Sequence, residues 1–204
     1  MNILITQIVS HSTKRGYVLS LSKDWFDFSE KIGLNLIPYN YNFSKTKLNK
    51  IKIDGLILSG GNDLSKIRKN KENFFRDKEE KKIFKYCLDR NVPILGVCRG
   101  FQLIASHFKF NLKKCKGHVR TRHKLNLNQS KYTSSKNLFV NSFHNYCLKK
   151  ISNKFDIISY HSDKSIEIAE LKEKKILCLM FHPERFNISQ KEIDKYIIKF
   201  FRKK

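Results

Sequence analysis

Cys98 lies in Gly96-Val97-Cys98-Arg99-Gly100, preceded by the apolar Ile94-Leu95 and followed by the apolar run Phe101-Gln102-Leu103-Ile104-Ala105. Glycines flanking x-Cys-x let a chain leave a buried strand and enter a helix through a sharp turn, which exposes the central side chain at the carboxyl edge of a sheet. That turn also sets the sulfur at a helix N-terminus, where the dipole and free N–H groups lower a thiol's pKa from about 8.5 and supply thiolate at neutral pH. A thiolate that attacks an amide then needs an acid for the leaving nitrogen and a base for the incoming water. The strand-like run 176–181 ends in His182-Pro183-Glu184, a histidine of suitable pKa with a carboxylate that can orient it and stabilise its charged form. A third apolar run, 54–58, ends in Ser59-Gly60-Gly61. Small residues there let N–H groups approach an oxyanion, and the expected donors are the backbones of Gly61 and Arg99. Each piece alone also fits plain packing: a cysteine closing a core strand, glycine in a loop, histidine at a strand end. Their conjunction points to chemistry.

Positioning them requires a particular scaffold. Apolar runs of strand length (3–8, 36–38, 55–58, 92–97) alternate with segments of helical period (25–32, stopped by Gly33, and 74–88), which predicts βα units and a mostly parallel sheet with helices on its faces. After residue 124 the runs at 137–140, 155–160, 166–169 and 176–181 predict a small antiparallel extension. A C-terminal helix follows, with Ser189 and Glu192 spaced as a capping box and Ile193, Ile197 and Phe200-Phe201 on one face. The Lys/Asn-rich stretches 44–52 and 65–73 read as loops. No repeat or linker divides the sequence, so residues 1–204 are expected to form a single domain.

The chain carries 42 Lys+Arg against 18 Asp+Glu, a formal charge of +24, with 40% hydrophobic residues. That apolar content excludes a disordered chain. The charge admits nucleic acid, an anionic membrane or an anionic small substrate as partner. It is mostly lysine scattered among Asn, Ile and Phe, as codon bias in an AT-rich genome produces. The nearest approach to a basic stripe, Arg120, Arg122, His123 and Lys124, is short, so neither nucleic acid nor a membrane is the expected partner. Five cysteines without a CxxC pair, and an N-terminus without a basic lead, fit a reducing cytoplasm.

Ser59-Gly60-Gly61, Gly96-x-Cys98-x-Gly100-x-Gln102 and His182-Pro183-Glu184, in this order, resemble the class I glutamine amidotransferases. With Asn141-Ser142-Phe143-His144, and an end reached without a synthetase domain, the chain is most similar to their γ-glutamyl hydrolase branch, over roughly residues 1–188. The resemblance implies a flavodoxin-like α/β fold, a γ-glutamyl thioester on Cys98, His182 and Glu184 as base and orienter, and no cofactor. It also implies that Gly60, Gln102, Asn141, Ser142 and His144 line the γ-glutamyl pocket. Asn145-Tyr146 departs from the usual pattern on the leaving-group side. Thr6-Gln7 leading to Lys23-Asp24-Trp25, with the lysine-rich composition, further resembles a subgroup acting on γ-glutamyl nucleotide phosphoramidates of capsule synthesis. A diphosphate leaving group would need cations, for which Arg120 and Arg122 are candidates.

Three functions remain open at this level: a stand-alone γ-glutamyl hydrolase, a glutaminase component feeding ammonia to a separate synthetase, and an idle fold reused as a basic binding protein. The intact Cys98, His182 and Glu184 set argues against the third. Cys115, His118 and His123 could begin a metal site, but a fourth ligand is not evident. No metal is therefore expected. Gly117-His118 reads as a rim loop, and His144 and His161 as packing or pocket residues.

Overall fold

The structure, a computed structural model, describes residues 1–202. In chain order the elements are β1 (Asn2–Ile5), β2 (Ile8–Ser12), β3 (Gly16–Ser20), α1 (Lys23–Lys31), β4 (Asn35–Pro38), α2 (Lys45–Asn49), β5 (Gly55–Leu58), α3 (Lys71–Asp89), β6 (Ile94–Val97), α4 (Arg99–His107), β7 (Lys113–Lys114), β8 (Val119–Asn126), β9 (Asn137–Phe143), β10 (Tyr146–Cys147), β11 (Phe155–Tyr160), β12 (Ile166–Leu171), β13 (Ile176–Leu179) and α5 (Gln190–Arg202). Seven strands form one sheet in the order β11-β12-β13-β6-β5-β1-β4. The run from β13 to β4 is parallel. β12 is antiparallel to β13, and β11 to β12. The α/β architecture and its antiparallel extension are as the sequence predicts.

The apolar runs that form β5, β6 and β13 are buried at every position, as strands covered on both faces must be. The two-residue side-chain period splits each of them between two cores. Leu4, Leu56 and Leu58 face Ile83 and Phe84 of α3 and Phe101 and Ile104 of α4. Ile3, Ile5, Ile57, Leu95 and Val97 face Trp25 and Phe28 of α1 and Ile193, Ile197 and Phe200 of α5. Each such side chain, fully buried, contributes about 1.5–3 kcal/mol. Among the described residues no helix is long and apolar enough to cross a membrane.

The register matters most at the carboxyl ends of three neighbouring strands. Leu58 of β5 pairs with Gly96, and Leu179 of β13 with Val97. Ser59-Gly60-Gly61, Cys98 and Met180-Phe181-His182 therefore emerge side by side at one edge of the sheet, where open α/β sheets bind ligands.

Three local expectations change. The stretch 44–52 contains α2, because Ser44 accepts from the Lys47 N–H and caps a helical turn. The hairpin β2–β3 was not anticipated from the apolar pattern, and the run 137–140, expected in the antiparallel extension of the sheet, instead pairs with β8 in a separate two-stranded ribbon, β8–β9. Ser189 does not serve a capping box: its hydroxyl accepts from Phe139 N–H at 2.9 Å, tying the start of α5 to β9.

The helix α3 is the larger surprise. Phe74, which opens the helical run 74–88, is 53% exposed, whereas Arg76 and Glu80 are fully buried. Arg76 Nε donates to Glu80 Oε1 at 2.8 Å, and Arg99 donates to both Glu80 and Asp77. The other end of Arg76 donates to Ser59 O, Ser59 Oγ and Gly60 O, each at 3.0 Å. Burial alone would raise the Glu80 carboxyl, but the two guanidiniums outweigh it and hold its pKa below the usual range. Two arginines and two carboxylates thus bind α3 to the glycine loop and to the first residue of α4. Removing one partner from such a cluster costs about 3–5 kcal/mol, because a buried charge is left unmatched.

A Cβ on Gly100 would lie 2.0 Å from the Leu58 carbonyl oxygen, backbone against backbone, whereas one on Gly117 meets nothing within 4 Å. Gly100→Ala is therefore expected to lower unfolding stability by about 3 kcal/mol or more, or to prevent folding. Gly117→Ala carries only the strain of its positive φ, about 1 kcal/mol. Urea unfolding of both variants checks this, and equal losses would contradict the close approach.

Candidate active site

Cys98 occupies the N-cap of α4 with φ 50° and ψ −102°. A non-glycine residue there costs about 1–3 kcal/mol and persists only when its surroundings over-determine it. They do. Cys98 N–H donates to Leu179 O at 2.7 Å, and the Cys98 carbonyl accepts from Gln102 N–H at 3.1 Å. Gly96 and Gly100 leave no room for alternatives, since a Cβ on Gly96 would sit 2.5 Å from Ile104 Cδ1. Arg99, the next residue, is locked by its side chain into the buried ionic cluster.

Cys98 and His182 line the same cavity and act on each other electrostatically, and His182 Nδ1 lies 2.7 Å from Glu184 Oε1. Burial alone would raise the thiol, but the charge and hydrogen bond of His182 prevail and bring it below its ordinary value. Burial alone would lower the imidazole, but Glu184 and Cys98 prevail and raise it to about 10. Both shifts favour a thiolate–imidazolium pair. The backbone of His182 is fixed by an amide side chain: its N–H donates to Asn141 Oδ1 at 2.9 Å, and its carbonyl accepts from Asn141 Nδ2 at 2.8 Å. Asn187 Nδ2 donates to the same carbonyl at 3.0 Å. Gly60 supplies the space, since a Cβ there would lie 2.6 Å from His182 Cε1.

Cys98 and His182 open onto a cavity of about 350 Å³. Its walls include Gly61, Arg99, Gln102 and His144, four of the residues expected at the pocket, and also Arg68 and Arg185. Gly61 has φ +80°, and Gln102 Nε2 donates to Tyr146 O at 3.2 Å. His144 is buried. Burial alone would lower it, but the hydrogen bond and charge of Glu167 prevail and raise its pKa.

Other expected pocket residues are placed differently. Gly60 lies beneath the His182 ring. Asn141 holds the backbone of His182, and Ser142 Oγ donates to His118 O at 2.8 Å; both side chains are spent on the scaffold and neither lines the cavity. Arg120 and Arg122 are on β8, Arg122 over the Phe186 ring at 5.7 Å, and both are exposed and lie outside the cavity wall. Arg68 and Arg185 are the arginines there, and Arg185 lies 4.8 Å from the Phe143 ring centroid. The position of Arg185, directly after His182-Pro183-Glu184, was a usable signal. Arg68, in a Lys/Asn-rich stretch, offered none.

The chain is similar to several known proteins. The peptidase C26 family matches residues 30–184. A γ-glutamyl-CDP-amidate hydrolase of Campylobacter jejuni is 34% identical over 172 residues, covering 82% of this chain and 81% of that protein. A glutamine-hydrolysing GMP synthase component of Methanococcus maripaludis is 29% identical over 162 residues, covering 75% of this chain and 74% of its own. Among solved structures, a candidate GMP synthase component of Thermoplasma acidophilum superposes with a TM-score of 0.75 at 20% identity, covering 98% of this chain and 94% of that one, and shares the fold. The chain thus belongs to the peptidase C26 family and is a hydrolase of the glutamine amidotransferase-like type.

Proposed function

We propose that this protein, acting as one cytoplasmic domain without a cofactor, hydrolyses a γ-glutamyl amide through a γ-glutamyl thioester on Cys98. The observation that carries the reading is the Cys98–His182–Glu184 line at the mouth of the cavity. The thiolate attacks the amide carbon, and the C–N bond breaks as the His182 imidazolium gives its proton to the departing nitrogen. Water then adds to the thioester, His182 takes a proton from it, and the C–S bond breaks to release glutamate and restore the thiolate. Glu184 keeps the ring oriented and its charged form stable. The N–H groups of Gly61 and Arg99 serve the oxyanion, and Gln102 and His144 the glutamyl head group.

The leaving group in this reading is a nucleotide phosphoramidate. The similarity to γ-glutamyl-CDP-amidate hydrolase supports it, and so do Arg68 and Arg185 in the cavity wall. The products would be glutamate and cytidine diphosphoramidate, for capsule modification. The GMP synthase relatives favour a second reading, a glutaminase whose ammonia passes to a synthetase. The identity of the good substrate separates the two.

Cys98→Ser and Cys98→Ala are expected to abolish turnover with the circular dichroism spectrum unchanged, and an electrophilic glutamine analogue should label Cys98 alone. Turnover in either variant, or labelling centred on Cys87, Cys115, Cys147 or Cys178, would remove the nucleophile assignment.

The paired shifts predict a pH signature. Alkylation of Cys98 by iodoacetamide needs thiolate, so its rate should persist below the ordinary thiol range near 8.5 and fall only as pH drops through the lowered value. His182→Asn removes the largest influence that lowers the thiol, leaving burial and Glu184 opposed by His144, and should move that inflection upward. Turnover also needs the imidazolium proton, and should decline as pH rises through about 10. An alkylation profile that His182→Asn leaves unmoved would contradict the pair.

Among γ-glutamyl substrates assayed for released glutamate, the nucleotide phosphoramidate should exceed glutamine in kcat/KM, since binding energy remote from the scissile bond can be spent in the transition state. Arg68→Ala and Arg185→Ala should each cost about 1–3 kcal/mol with the nucleotide and less with glutamine, while Arg120→Ala and Arg122→Ala change neither. Equal efficiency with both substrates would favour the ammonia-donating glutaminase.

A further inference from the structure

Behind His144 lies a group of side chains with no part in this chemistry. The rings of His118 and His123 stack with centroids 4.8 Å apart, and His161 meets them at 4.7 and 3.9 Å. One ring nitrogen from each lies within 4.8 Å of the other two. His118 Nδ1 and His123 Nδ1 are buried without a hydrogen-bond partner, on residues 1% and 3% exposed. Buried polar atoms are left unmatched only rarely, and for the His123 nitrogen a missing ion is one reason.

A carboxylate completes the set. Asp163 Oδ2 lies 3.3 Å from His118 Nε2, and Asp163 Oδ1 lies 3.2 Å from His161 Nδ1. In a tetrahedral zinc site with bonds of about 2.0–2.1 Å, neighbouring ligand atoms stand about 3.3–3.4 Å apart, which is the spacing His118 Nε2 keeps to Asp163 Oδ2, while His161 faces the other oxygen, Oδ1, which also accepts from the Ser165 N–H and hydroxyl. Glu167 is fully buried, with Oε2 unpartnered and Oε1 3.6 Å from His118 Nδ1. Its ion-pair partners among the described residues are His118 and His144, with no lysine or arginine among them. A carboxylate behind a ligating histidine is the usual outer partner in such sites. The Asp163 and His161 side chains, 35% and 23% exposed, leave an entry path. Lys149 Nζ also contacts Asp163 Oδ2, at 2.6 Å, and would share that carboxylate with the ion.

We propose that His118, His123, His161 and Asp163 form a structural zinc site, with Glu167 orienting His118. The sequence pattern offered no fourth ligand; His161 and Asp163 arrive from far downstream, in the turn between β11 and β12. The ion would staple the β8–β9 ribbon to the edge of the main sheet. Cys115, His118 and His144 form an overlapping group, with Cys115 Sγ 3.6 Å from His144 Nδ1. It shares His118 with the first set, and the His144 nitrogen facing Cys115 is already 3.2 Å from Tyr146 O.

The test is metal content and zinc titration on the full chain. Protein stripped with a chelator and checked for folding by circular dichroism should take up one zinc per chain from zinc sulfate, with a rise in Tm, and should ignore magnesium. His161→Ala, at a partly exposed ring, should weaken zinc binding roughly 100-fold or more, with His161→Asn as the second variant. Cys115→Ser should bind as the parent does. Absence of saturable zinc binding by the folded parent overturns the site, as does parental affinity in the His161 variants. Zinc lost in Cys115→Ser but kept in His161→Ala overturns it too, moving the ligand set to Cys115, His118 and His144.

Discussion

A cysteine held at φ 50° is the constraint on which the rest of the active edge depends. Left alone, residue 98 would relax into an ordinary conformation and the thiol would leave the sheet edge. It stays because neighbours on two strands leave it nowhere to go: Leu179 of β13 takes its N–H, and the Leu58 carbonyl of β5 presses on Gly100. The ionic cluster holds Arg99 from below. Strain of this kind is supported by the surrounding fold, and here the support is the parallel register of β13, β6 and β5.

The same enclosure decides the electrostatics. In a dry site a lone thiolate or a lone imidazolium would each be disfavoured, and burial opposes both charges here. The thiolate is stabilised by His182 and, less, by His144, and the imidazolium by Glu184 and Cys98. The charge state therefore belongs to the group of three, and the amide clamp from Asn141 that fixes the His182 backbone acts on the thiol from a distance.

How much of this could be read from the sequence follows from what determines each feature. Cys98, His182, Glu184 and the glycines are marked by short covalent spacings at the ends of apolar runs, and those spacings survive without a fold. The ionic cluster was illegible, because Arg76, Asp77 and Glu80 on a helix pattern read as a solvated face until α3 is docked with that face inward. The cavity's arginines were hidden for a different reason. With 42 Lys and Arg in the chain, type and count carry no positional information, and only the folded wall selects Arg68 and Arg185 over Arg120 and Arg122. Asn141 shows a third limit, since a resemblance transfers a position along the chain and not the direction in which its side chain points.

Arg99 combines two duties that experiments of different kinds would weigh differently. Its backbone borders the cavity, while its guanidinium lies in the foundation beneath, 1% exposed between Asp77 and Glu80. In a saturation scan selected on growth or product, nearly every replacement at residue 99 would score as inactive, beside Cys98. The cause would differ: the pool of folded enzyme shrinks, as it does for destabilised variants generally. Only when cellular abundance is counted alongside activity do the two positions part: on the proposed mechanism Cys98 variants are inactive at full abundance, and Arg99 variants are scarce.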